Sequence, residues 1–131
     1  MIIKSFELNK LNLKYHEIIL FYGKNSGLKK ESLNILIKNK NISNYDEKEI
    51  LDNESNFIEN ILSKSLFEKE KFIVIKRATD KILKIIGNLH LKNLEDTTII
   101  LDADNLEKKS KLRSYFEKDK TLVCIPFYPD N

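Results

Sequence analysis

Four short stretches of this sequence are apolar without a break: Ile18 to Tyr22, Phe72 to Ile75, Ile99 to Leu101 and Leu122 to Ile125. A strand with one wet face alternates apolar and polar residues, whereas a strand covered on both faces does not. The runs therefore predict parallel strands buried between two layers of helices. A weaker strand is expected at Ile42 to Tyr45, where only the isoleucine and the tyrosine supply strand character.

Between the runs the hydrophobic period becomes helical. Phe57, Ile58, Ile61, Leu62 and Leu66 fall on one helical stripe, and Ile82, Leu83, Ile85, Ile86 and Leu89 on another. Leu28 to Lys38 predicts a further helix, with Leu33, Leu36 and Ile37 on one side, and Leu106 to Lys118 a more polar one. Ser5 is placed to cap a short helix through Leu13, Thr79 to cap a helix from Asp80, and Asp104 with Glu107 has capping-box spacing. An alternation of about five strands and five helices implies an α/β fold, a three-layer sandwich around a mainly parallel five-stranded sheet with right-handed crossovers.

A chain of 131 residues is long enough for one ordinary core. With no repeat, linker or low-complexity segment, residues 1–131 read as a single domain. The sequence stops at Pro126 to Asn131, directly after the last strand and with no helix to cover it, as a domain cut from a longer subunit would.

The charge is +3, but of 23 basic residues only Arg77 and Arg113 are arginine, and 20 acids are interspersed with the lysines. Nucleic-acid surfaces gather arginine and basic charge on one face, so DNA contact is expected to be weak or indirect. No apolar stretch approaches the roughly 18 residues that span a bilayer, and no signal sequence opens the chain. A cytoplasmic protein without membrane contact is expected. The lone cysteine, Cys124, lies inside an apolar run and reads as a small buried hydrophobe.

In a doubly wound sheet, ligands sit beyond the carboxyl ends of the strands, which directs attention to Gly23-Lys24-Asn25-Ser26-Gly27-Leu28-Lys29-Lys30. A phosphate-binding loop needs G-x-x-x-x-G-K-[ST], so that backbone N–H groups wrap the phosphates, lysine reaches them and a hydroxyl holds magnesium. Counted from Gly23, Lys29 takes the lysine position, but Leu28 replaces the second glycine and Lys30 the hydroxyl. Gly23 and Gly27 thus mark a degenerate loop. The acid that should follow the Phe72 strand is absent too, since Lys76 and Arg77 stand there. Asp102 and Asp104 read as helix caps before they read as a metal site. His16 and His90 are far apart in sequence, and no serine sits in a nucleophile elbow. No catalytic residue, cofactor or metal is expected.

The strand, the loop Tyr22 to Gly27, a helix carrying Lys30-Glu31 and the stretch Asn56 to Arg77 together resemble the delta-subunit family of the bacterial DNA polymerase III clamp loader. The resemblance spans the whole chain but only that family's first domain. It implies a RecA-like, AAA+-like fold that has lost ATP binding, working without catalysis inside the DNA-directed DNA polymerase III holoenzyme. Its partners would be the sliding clamp, the beta subunit, and other clamp-loader subunits reached through domains absent here. The family's clamp-contacting element is a serine or similar residue followed by Leu-Phe at a helix end, and the resemblance carries that role to Ser65, Leu66 and Phe67. Leu66 also continues the stripe of Ile58 and Leu62, so a place in the core stays open for it. Phe67 adjoins the charged run Glu68 to Lys71 and is harder to bury. The competing functions are a divergent P-loop-like ATPase, marked by Mg-nucleotide affinity, and a nucleic-acid-binding domain, marked by steep salt dependence.

Overall fold

The computed structural model describes residues 1–10, 18–63, 70–92, 94 and 96–128. Five strands, β1 (Ile18–Tyr22), β2 (Ile42–Asp46), β3 (Lys71–Ala78), β4 (Thr97–Ala103) and β5 (Val123–Pro126), form one sheet in the order β2-β3-β4-β1-β5. Every pairing is parallel. Three of the unbroken apolar runs lie in the interior strands β1, β3 and β4, with β1 buried at all five positions between β4 and β5; the fourth is the edge strand β5, itself buried throughout. The weak run is the edge strand β2, where Ser43 and Asn44 are exposed. At the other edge Ile2 bridges to Cys124.

Alternate residues of each strand feed two separate cores, which makes the three layers. Ile19, Phe21, Val74, Ile100, Val123 and Ile125 face α1 (Ser26–Ile37), which contributes Leu28, Leu33, Leu36 and Ile37. Ile18, Leu20, Tyr22, Ile73, Ile75, Ile99 and Leu101 face the opposite helices. Those are α2 (Glu47–Asp52) through Ile50, α3 (Glu54–Leu62) through Phe57 and Ile61, α4 (Leu83–Leu91) through Ile85, Ile86 and Leu89, and α5 (Lys111–Lys118) through Leu112 and Phe116. Period-two strands and helices of period 3.6 meet on both sides of one sheet.

The helix ends depart from the expected ones in instructive ways. Ser5 does not precede a helix: it opens the 3-10 segment Ser5–Lys10 itself. Thr79 caps as expected, accepting the Lys81 N–H at 3.2 Å, but the turn it starts is the 3-10 segment Asp80–Ile82, which runs on into α4. The Asp104–Glu107 box does not form. Asp104 accepts from its neighbour Asn105, and α5 begins only at Lys111, with Ser110 as its cap. The start of α5 is held from another element: the Asp80 carboxylate accepts from Ser110 Oγ at 2.6 Å, from the Lys111 N–H at 3.2 Å and from the Leu112 N–H at 3.1 Å. The capping box that does form is Asp46 with Glu49, opening α2.

The Ser110 hydrogen bond and the two backbone N–H bonds hold the Asp80 carboxyl below its ordinary value of 3.8. A folded-state pKa depressed in this way stabilises the fold fully above about pH 4 and loses that contribution as the pH falls from there. Asp80→Ala should therefore cost about 1 kcal/mol of unfolding free energy at neutral pH. The loss should shrink below pH 4, when both proteins are followed by urea denaturation. An equal deficit at pH 3 and pH 7 would show that the carboxylate's charge plays no part.

Candidate functional site

At the carboxyl end of β1 the chain turns at Gly23, whose φ of 127° lies where side chains are rarely tolerated. The reason is tertiary. A Cβ at Gly23 would stand 2.2 Å from the carbonyl oxygen of Phe127, just beyond β5. The exit from β5 lies directly against the loop, with the Phe127 N–H donating to Tyr22 O at 2.7 Å and its carbonyl accepting from the Asn25 N–H at 3.2 Å.

Asn25 ties this arrangement together. Its side-chain oxygen accepts the Leu28 N–H at 3.1 Å, capping α1, and its amide nitrogen donates to Tyr128 O at 3.3 Å. The Gly23 N–H donates to Asp104 O at 3.2 Å and the Ser26 N–H to Lys24 O at 2.9 Å. The backbone donors of Gly23, Asn25, Ser26 and Leu28 are engaged by the chain's own carbonyl and amide oxygens. Gly27 is uncrowded: a Cβ there would meet only the Asn25 side chain, at 3.9 Å.

Lys29, at the position where a phosphate-binding loop carries its lysine, is 8% exposed. Its ammonium donates to Ala103 O at 2.7 Å and faces Asp102 Oδ1 at 3.4 Å. Asp102 thus answers a buried cation and caps no helix. On β3, Arg77 sits at a bulge with φ of 57° and pairs with Asp46 of β2. Its charge is directed to the sheet edge.

The expected clamp-contacting residues Ser65, Leu66 and Phe67 lie outside the described residues, as does His16. The end of the helix that precedes them is described. α3 closes at Leu62, with Ser63 as an extended C-cap, so the helix stops short of Ser65 and does not run up to it. Phe57 and Ile61 enter the core, while Leu62 is 42% exposed. His90 is occupied by Tyr115 Oη at 2.9 Å and Thr121 Oγ1 at 2.8 Å. Cys124 is fully buried, and burial pushes its thiol up to about 11.

Two features escaped the sequence. Lys71, the first residue of β3, reaches back to α3 and donates to the carbonyls of Asn60 at 2.7 Å, Ile61 at 3.4 Å and Ser63. Lysines also line two adjoining grooves, of about 570 and 490 Å³, beside the start of α5: Lys81, Lys108, Lys109, Lys111 and Lys118. Of these only Lys109 has a carboxylate within ion-pair distance among the described residues, Glu107 at 3.4 Å. Interspersed signs in the sequence conceal this cluster, which chain folding assembles.

Gly23→Ala should destabilise the fold by about 2–4 kcal/mol, since both the dihedral and the contact with Phe127 oppose a methyl group. Chemical denaturation measures it. A loss under about 0.5 kcal/mol would mean that the β5 exit is not held against the loop.

No protein-family profile matches the chain, and no curated protein matches it in sequence. Among solved structures it is similar to the Bacillus subtilis DNA clamp loader delta protein (YqeN), with a TM-score of 0.69 at 17% identity. The match covers 96% of this chain and 42% of that one, so the chain spans less than half of that protein's length. The DnaC helicase loader overlaps at a TM-score of 0.40 and 14% identity, covering 89% of this chain and 75% of that one, too loosely to bear on the fold. The architecture, a five-stranded parallel sheet between helical layers, is an α/β fold shared with that DNA clamp loader delta protein.

Proposed function

We propose that this chain is the non-catalytic, clamp-gripping amino-terminal domain of a clamp-loader delta subunit. The observation that carries the reading is the β1–α1 loop, where the N–H groups of Gly23, Asn25, Ser26 and Leu28 and the ammonium of Lys29 are engaged internally, in a fold shared with a clamp loader delta protein. A nucleotide-type fold without a free phosphate cradle suits a component that binds and leaves ATP chemistry to neighbouring subunits. Its place would be in the cytoplasmic DNA polymerase III holoenzyme, and its partners the beta-subunit sliding clamp and the other loader subunits.

The grip falls to Leu66 and Phe67, with Ser65 ahead of them. Support comes from the end of α3, where the stripe that would carry Leu66 inward has already left the core at Leu62. A short apolar pair next to a charged run makes an anchor for a hydrophobic pocket. Opening the clamp then needs no chemistry, only tighter binding to the open ring than to the closed one.

Weak DNA contact is the second reading. The lysines beside α5 favour it, because Lys108, Lys109 and Lys111 cluster where a helix start prefers negative charge. The Asp80 carboxylate at the same helix start answers part of that charge, and a phosphate backbone would answer the rest.

The test of the first reading is Leu66→Ala with Phe67→Ala. Each side chain should contribute roughly 1.5–3 kcal/mol in a partner pocket, so the double variant should bind the sliding clamp about two to four orders of magnitude more weakly. The melting temperature should stay near that of the parent. Clamp affinity retained alongside a collapsed melting temperature would make the pair ordinary core.

A further inference from the structure

We infer that the groove along α5 takes single-stranded nucleic acid, its lysines answering successive phosphates and Tyr115 giving a base a face to stack on; this rests on the second reading above, weak DNA contact. The helix supplies the pattern. Leu112 and Phe116 of α5 are buried, while Lys111, Ser114, Tyr115 and Lys118, at positions i, i+3, i+4 and i+7, share the face beside them and line the groove of about 570 Å³. At 1.5 Å of rise per residue the two lysines stand about 10 Å apart along the helix. Lys108 and Lys109 join them from the preceding loop, and Lys109 and Lys111 also line the neighbouring groove that holds Lys81. A cationic track therefore runs from Lys81 past the helix start to Lys118.

The acids along this track are engaged elsewhere or by single partners. Asp119 accepts from the Thr121 N–H and hydroxyl, each at 2.7 Å, and from the Leu122 N–H at 3.3 Å. Asp80 accepts from Ser110, Lys111 and Leu112, and Glu107 pairs with Lys109. Between the lysines stands a half-buried aromatic ring held in one orientation. The Tyr115 hydroxyl meets His90 Nδ1 at 2.9 Å, and Thr121 Oγ1 fixes the other ring nitrogen of His90 at 2.8 Å. The rings of His90 and Phe116 lie nearly perpendicular to that of Tyr115, at 82° and 86°, so no ring among the described residues is stacked on it in parallel. Leu83 adds an apolar wall. Duplex DNA would offer this surface phosphates alone, its base faces being stacked away, whereas a single strand offers phosphates and open base faces together. Cations on either side of a pre-oriented aromatic suit the single strand. An acidic peptide would answer the lysines, but its carboxylates have no use for the ring.

Fluorescence anisotropy of the whole chain against a labelled oligothymidylate of about 15 nucleotides, and against a duplex of equal length, reads the outcome. At low salt the single strand should bind about tenfold more tightly than the duplex. Tyr115→Leu should weaken single-strand binding about tenfold and leave duplex binding unchanged, while Tyr115→Phe, which keeps the ring, should stay within about twofold of the parent. Lys111→Gln with Lys118→Gln should weaken both, and for the single strand should lower the slope of log affinity against log salt by about 1.4.

Equal affinity for single strand and duplex, with both reduced by the lysine pair, overturns the inference and leaves weak DNA contact standing. Single-strand binding by Tyr115→Leu as tight as the parent's does the same. Polyglutamate that displaces the oligonucleotide at equal concentration of charge makes the groove an acidic-peptide site and overturns it too. Binding to neither oligonucleotide sinks this inference and the DNA reading together. Circular dichroism establishes that each variant is folded; should Tyr115→Leu unfold, the comparison of single strand with duplex on the parent chain decides alone.

Discussion

The burial of β1 between β4 and β5, with a separate core on each face, constrains everything around it. Because both faces and both edges of β1 are covered, its carboxyl end opens at one place, the turn at Gly23. Parallel neighbours bring their own carboxyl ends to the same rim: Ala103 at the end of β4 with Asp104 beyond it, and Phe127 after β5. In a doubly wound fold that rim is where a ligand would rest. Here the three chain ends crowd together and hydrogen-bond to one another.

This crowding gives the degenerate loop a physical meaning beyond missing motif letters. Losing the second glycine and the hydroxyl removes positive features of a phosphate site. The contact of Gly23 with Phe127, the double use of Asn25 and the pairing of Lys29 with Asp102 add occupants. An anion entering the loop would have to displace main-chain hydrogen bonds and strip a buried lysine of its partner, which costs more than a weak phosphate contact returns. The glycine at 23 remains necessary, but for packing against the chain itself.

How much of this the sequence disclosed depends on the range of the interaction involved. β1, β3, β4 and the edge strand β5 were legible because burial on two faces imprints an unbroken apolar run, and the other edge strand, β2, was faint because Ser43 and Asn44 face water. α2 was missed: six mostly charged residues carry little periodicity, and only the Asp46–Glu49 spacing announced it. The start of α5 was read too early, since its anchor, Asp80, lies some 30 residues upstream and no local pattern points to it. The loop's failure to match a phosphate motif was visible in the residues, but its occupation by the β5 exit was not, because Asn25 and Tyr128 are neighbours only in space. The same holds for Lys71, which reads as one of many surface lysines until its three carbonyl partners are seen.

The rim of the sheet is filled by the chain itself, with Phe127 against Gly23 and the Lys29 ammonium turned to Ala103 and Asp102. Isothermal titration calorimetry of the whole chain with Mg-ATP tests it most directly. The account predicts no saturable heat up to nucleotide concentrations of about 1 mM, whereas a dissociation constant on the order of micromolar would contradict it.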